Sequence, residues 1–161
     1  MGEYTIMGNE STVAEYSLGI DIGSTTAKIV LRKGNEVLFE RYERHFSQVR
    51  EKTAELLHLV SAIAGENKIT AAVSGSAGLG LAEAAYIPFI QEVFATGEVV
   101  KLKEPDTSCV IELGGEDAKI IFFDGGLDER MNGSCAGGTG AFIDQMATLL
   151  NITVDELDKL S

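Results

Sequence analysis

Three short stretches of this chain hold residue types that could do chemistry: Asp21-Ile22-Gly23-Ser24-Thr25-Thr26, Glu112-Leu113-Gly114-Gly115-Glu116-Asp117, and Gly133-Ser134-Cys135-Ala136-Gly137-Gly138-Thr139-Gly140. In the first, a tight turn of glycine and hydroxyl residues offers amide and hydroxyl donors, with Asp21 beside it as an oxygen acceptor. That set suits a phosphate chain with a hydrated magnesium ion, and a plain hairpin turn is the alternative. The second repeats the design: an acid stands two places before a glycine in both (Asp21 with Gly23, Glu112 with Gly114), and a lysine opens the next strand in both (Lys28, Lys119). Two such hairpins facing each other could clamp a polyphosphate from both sides. In the third, Gly133, Gly137, Gly138 and Gly140 permit close backbone approaches around Cys135, just before a helix whose unpaired amides and dipole favour an anion, either a thiolate or a phosphate. A glycine-rich turn with a small hydrophobic cysteine is the alternative, and this stretch alone leaves both open.

Positioning these loops requires strands and helices, and the periodicity supplies them. Tyr16 to Gly23, Ala27 to Leu31 and Glu36 to Tyr42 read as three strands. Val49, Thr53, Leu56, Val60 and Ile63 fall at steps of three and four, the stripe of a helix packing on a sheet. Ile69 to Val73 reads as a strand, Leu79 to Ala85 and Phe89 to Thr96 as short helices, and Ser108 to Leu113 and Ala118 to Phe123 as strands, the former with a buried pattern. Phe142, Met146, Leu149 and Leu150 mark the buried face of the helix after the cysteine loop. Thr153-Val154-Asp155-Glu156 is a capping-box start for another. His45 and His58 lack a second ligand candidate and read as ordinary surface or boundary residues. Cys109, inside a strand, reads as core.

Composition sets the outer bounds. A chain of 161 residues, 45% hydrophobic and 24% charged, is globular in type. A formal charge of -12 argues against a surface for nucleic acid or an anionic membrane, so any phosphate must be held by local amides, with or without a metal. No apolar run approaches the roughly 20 residues of a membrane span and no signal peptide is visible, which points to the cytoplasm. Two cysteines make at most one disulfide, and with no CxxC or histidine cluster no complete metal site is encoded.

With all three stretches assembled, Leu18 to Lys28 resembles the first phosphate motif of the actin, sugar-kinase and heat-shock-chaperone ATPase superfamily, and Ile111 to Lys119 its second. Met131 to Phe142 narrows the likeness: it resembles the ATP-dependent activators of 2-hydroxyacyl-CoA dehydratases and the ATPase subunits of benzoyl-CoA reductase. The resemblance runs from about Tyr16 to Ser161. It implies an α/β, actin-like (ribonuclease H-like) fold of mixed sheets flanked by helices. The expected division is a leader at 1–15, a first lobe at 16–70 and a second lobe at 71–161, with the two-lobed molecule incomplete.

The resemblance also implies roles. Asp21 would hold Mg2+ through water, Gly23, Ser24, Thr25 and Thr26 would cradle the phosphates of ATP or ADP with Gly114 and Gly115 opposite, and Glu116 and Asp117 would bear on the metal or the attacking water. Cys135 would be one of two cysteines per subunit that ligate a 4Fe-4S cluster shared across a homodimer, formed through the cysteine-glycine loop. ATP turnover would drive a low-potential electron to a partner, a CoA-thioester dehydratase or reductase. Glu112 and Glu116 stand where that family has aspartate and glutamine, and Ala141 replaces a basic residue. The second cluster cysteine and most of the adenosine pocket are absent from this sequence, so it is expected to stop in mid-protein and, by itself, to be colourless and inactive or weakly active. A small-molecule kinase of the same superfamily, with Asp21 and Asp117 acting on a hydroxyl, and a non-catalytic nucleotide-sensing or dimerisation module are the other readings.

Overall fold

A computed structural model describes residues 15–132 and 138–160. Strands β1 (Tyr16–Ile22), β2 (Thr26–Lys33) and β3 (Glu36–Arg44) form an antiparallel meander, and helix α1 (Val49–Ala64) carries the chain over to β4 (Ile69–Ser74). That strand pairs parallel with β1, giving the order β3-β2-β1-β4. A parallel partner needs such a crossover, and α1 supplies it. Period-2 alternation buries Leu18, Ile20 and Ile22 of β1 and Ala27, Ile29 and Leu31 of β2 in one cluster with Leu56, Val60 and Ala64 of α1. Each fully buried large aliphatic residue contributes about 1.5–3 kcal/mol. The helical stripe holds except at its last turn, where Ile63 is exposed and Ala64 packs instead. Its buried positions advance from Thr53 by three, four and four, and Gly65 then ends the helix with φ of 59°.

Helices α2 (Leu79–Ala85) and α3 (Glu92–Lys103) lead to a second antiparallel sheet, β5 (Cys109–Leu113), β6 (Ala118–Phe122) and β7 (Asp128–Met131), followed by α4 (Gly140–Leu150) and α5 (Val154–Asp158). β4 pairs with β1 as far as Ser74, and Ala82 of α2 lies in the first core. The arm expected at 1–15 lies, but for Glu15, outside the described residues.

The second sheet departs from its sequence pattern. Ile111 and Leu113 of β5 are 66% and 57% exposed, and Cys109, expected in the core, is exposed too. On α4 the stripe residues Phe142, Leu149 and Leu150 are exposed while Ala147 is buried. An apolar pattern states that a face favours cover. It does not supply the cover, and among the described residues no layer lies over these positions. Thr153 does cap α5 as its pattern predicts: its amide donates to Glu156 Oε2 at 2.7 Å and its hydroxyl accepts from the Glu156 amide at 3.2 Å. The Thr153 amide and hydroxyl both donate to Glu156 Oε2, and these two bonds hold the Glu156 carboxyl below its ordinary value.

Candidate functional site

The two hairpins that the sequence singles out are built alike. Residues Gly23 to Thr25 join β1 to β2 and Gly114 to Asp117 join β5 to β6. In each, the first glycine amide donates to the carbonyl three residues on, Gly23 to Thr26 at 2.9 Å and Gly114 to Asp117 at 2.7 Å. In each, the acid and the lysine are cross-strand partners, Asp21 with Lys28 and Glu112 with Lys119. The repeat seen in the sequence is thus one local geometry used twice. The tips meet: a Cβ on Gly115 would stand 2.5 Å from Thr25 Oγ1, an approach that only glycine allows.

A cleft of about 510 Å3 opens where they meet. Gly23, Ser24, Thr25 and Thr26 line one wall, and Gly114, Gly115, Glu116 and Asp117 the other. Glu116 and Asp117 are exposed. Asp21 stands one step back, its Oδ2 accepting from Lys28 Nζ at 2.7 Å while Lys28 itself lines the cleft.

Sequence reasoning missed several residues of this site. Arg44 of β3 and Asp144 of α4 both line the cleft and join its two sides, Nη2 to Oδ2, at 2.5 Å. They lie 100 positions apart, and no local pattern links them. Half-exposed as it is, the pair contributes about 0–1 kcal/mol. Glu92, at the start of α3, accepts from Lys119, which also lies 3.4 Å from Glu112. Burial pushes the Lys119 ammonium down, but the Glu92 hydrogen bond and the charges of Glu112 and Glu92 outweigh it and hold its pKa above the ordinary lysine value.

This cluster is testable. Lys119→Met should leave two facing carboxylates uncompensated and lower unfolding stability by about 1–3 kcal/mol, between the values for exposed pairs and for fully buried ones because both glutamates retain solvent contact. Because the pKa is raised on folding, the ammonium's contribution is fully present below about pH 10.5 and is lost as pH rises through the folded value. Urea unfolding of both proteins at neutral and alkaline pH checks it; equal stabilities at neutral pH would refute it.

The start of α4 corrects an expectation. Its first amides do not stand open for an anion: Gly140 N–H donates to Gly114 O at 2.8 Å and Ala141 N–H to Gly115 O at 2.9 Å. In a planar trans peptide the carbonyl and the following amide point oppositely. Holding these two carbonyls therefore turns the Gly115 and Glu116 amides the other way. Gly133, Ser134, Cys135, Ala136 and Gly137 lie outside the described residues.

Asp21 fits a water-mediated magnesium role. Its Oδ1 is buried without a hydrogen-bond partner, as is Ser74 Oγ on the paired strand position. Such buried oxygens call for a bound water or ion. Among the described residues no three His, Cys, Asp or Glu side chains cluster as a metal site. Mg2+ does not require one, since it keeps several waters and takes one or two carboxylates together with phosphates.

A four-strand sheet with one crossover helix, a second meander and a cleft between paired hairpins define an actin-like ATPase fold. The sequence profile of the BadF/BadG/BcrA/BcrD ATPase family matches residues 18–161, and the chain belongs to that family. It is 30% identical to the 2-hydroxyisocaproyl-CoA dehydratase activator of Clostridioides difficile, over 91% of this chain and 56% of that protein. The crystal structure of component A of the Acidaminococcus fermentans (R)-2-hydroxyglutaryl-CoA dehydratase superposes with a TM-score of 0.76 at 28% identity, covering 90% of this chain and 57% of that one. The activator of the 2-hydroxyisocaproyl-CoA dehydratase from Clostridium difficile, solved with bound ADPNP, gives 0.74 at 31% identity, covering 88% and 55%. The chain thus spans just over half the length of these relatives. No helix among the described residues is long and apolar enough to cross a membrane.

Proposed function

We propose that this chain carries the phosphate-binding part of a cytoplasmic, ATP-dependent activator of a CoA-thioester dehydratase or reductase. The observation that carries the reading is the pair of equivalent hairpins meeting across one cleft, Thr25 against Gly115. Relatives that are activators of such dehydratases, one solved with ADPNP, support it. Amides and hydroxyls of Gly23, Ser24, Thr25 and Thr26 hold the phosphates from one side, and Gly114 and Gly115 approach from the other. Glu116 and Asp117 orient the attacking water, and Asp21 holds the water shell of Mg2+. Magnesium would supply neutralisation of the phosphate charge. The protein's own share is positioning, which is what phosphoryl transfer to water chiefly requires.

In the same reading, Cys135 is one ligand of a 4Fe-4S cluster shared between two subunits through the cysteine-glycine loop. Such clusters take four thiolates. One cysteine from each of two loops supplies half of them, and Cys109 sits on β5, a strand whose hairpin serves the phosphate cleft. The resemblance to the activators implies a second ligating cysteine per subunit beyond Cys135, and the cluster would supply a low-potential electron to the partner enzyme.

Anaerobic reconstitution of the full-length protein with iron and sulfide tests both parts. Wild type should gain a cluster spectrum and bind magnesium-ADP, while Cys135→Ser should keep the nucleotide and lose the spectrum. An identical cluster in both would remove Cys135 from the ligand set, and no nucleotide binding in either would overturn the activator reading.

A further inference from the structure

His45 follows β3 and is 4% exposed, although nothing in its sequence surroundings marks it. Its backbone extends the β2–β3 ladder, the His45 amide donating to Thr25 O at 3.2 Å. The ring then reaches behind the first hairpin. Nε2 lies 3.1 Å from the Gly23 carbonyl, and Nδ1 accepts the Ser47 amide at 3.2 Å. Because Nδ1 accepts an N–H, the proton of the neutral ring sits on Nε2, the nitrogen that must donate to Gly23 O. Both ring nitrogens are thus assigned by backbone partners.

The chain bends unusually to achieve this. Phe46 and Ser47 have φ of 47° and 64°, the left-handed region that L side chains seldom adopt, and the Gln48 amide closes the turn on His45 O at 2.7 Å. Phe46 is 77% exposed, so packing of its ring does not account for the bend. The bend places the Ser47 amide on Nδ1.

We propose that His45 is the positioning residue of the first phosphate hairpin: it holds the Gly23–Ser24 peptide with its carbonyl turned back and the Ser24 amide turned toward the cleft. The peptide is trans, so its carbonyl and the Ser24 N–H point oppositely. Ser24 lines the cleft and His45 does not. The second hairpin holds the equivalent carbonyl, Gly114 O, with the Gly140 amide of α4. The imidazole thus does in one hairpin what a helix amide does in the other. A fixed clamp matters at a glycine, whose peptide flips at little steric cost.

This inference rests on the nucleotide reading of the cleft, and the test separates the two. Magnesium-ADP is titrated into full-length wild type, His45→Gln and His45→Leu, with thermal unfolding recorded for each. Gln keeps an N–H donor where Nε2 stands, whereas Leu fills the space without one. The expected result is a loss of about tenfold in affinity for His45→Leu, the scale of one hydrogen bond from the Ser24 amide to a charged phosphate, and recovery to within about threefold for His45→Gln. Imidazole 15N shifts should also report the Nε2–H tautomer for His45. Equal affinities for wild type and His45→Leu, an equal loss in both variants, or an Nδ1–H tautomer would overturn the proposal alone. A wild type that binds no magnesium-ADP would overturn the nucleotide reading and this inference with it. Should His45→Leu fail to fold, a loss of more than about threefold in His45→Gln still refutes the clamp.

Discussion

Gly75→Ala should cost about 3–5 kcal/mol of stability, read as a fall in the urea midpoint at unchanged slope. A Cβ there would stand 2.2 Å from the Ile22 carbonyl oxygen and 2.5 Å from Asp21 Oδ1. The first neighbour is backbone in the central strand, which cannot swing aside as a side-chain tip can. The residue also has φ of 94°, which adds strain for any L side chain. The neighbouring glycine at 78 is packed against Ser74 O in the same way, so the turn after β4 has no slack to absorb the shift. Gly80, with open space around its Cβ position, is the control: alanine there should leave stability within about 1 kcal/mol of wild type or raise it, since alanine favours helix. A Gly75→Ala protein as stable as wild type would show that the loop is not clamped on β1.

Asp21→Ala should weaken magnesium-ADP binding by about 10–100-fold in the full-length protein, the range of a lost charge-assisted contact. Its effect on folding should be small. The Lys28 pair it breaks is about one-third exposed at each end and contributes about 0–1 kcal/mol. Removing a buried oxygen without a partner offsets part of that loss. A large binding loss at nearly constant stability is therefore the signature of a ligand role, and titration calorimetry with urea unfolding reads both. Equal affinities in the two proteins would sink the assignment of Asp21.

Much of the candidate site was legible because its parts are local. The hairpins close between a residue and the third one on, and their acid-lysine pairs face each other through strand register. Spacing alone displays such relations, as it does the Thr153–Glu156 cap. The residues that the sequence left unassigned act over distance. Arg44 meets Asp144, Glu92 meets Lys119, and His45 reaches Gly23, each through a contact between distant segments that leaves no period in the chain. His45 even reads as ordinary, because a single histidine carries no pattern.

The exposed positions of the second sheet mark the same boundary from the other side. The buried-strand pattern of β5 and the stripe of α4 mark real elements, but the faces they mark are exposed. By itself, the sequence determined what depends on neighbours a few residues away: the strands, the helical stripe of α1 and the paired glycine turns. The tertiary structure alone decided which faces are covered, which amides of α4 are already engaged, and that Thr25 and Gly115 touch. Those outcomes depend on how layers approach one another, and contact between distant segments is a property of the packed chain with no counterpart in local spacing.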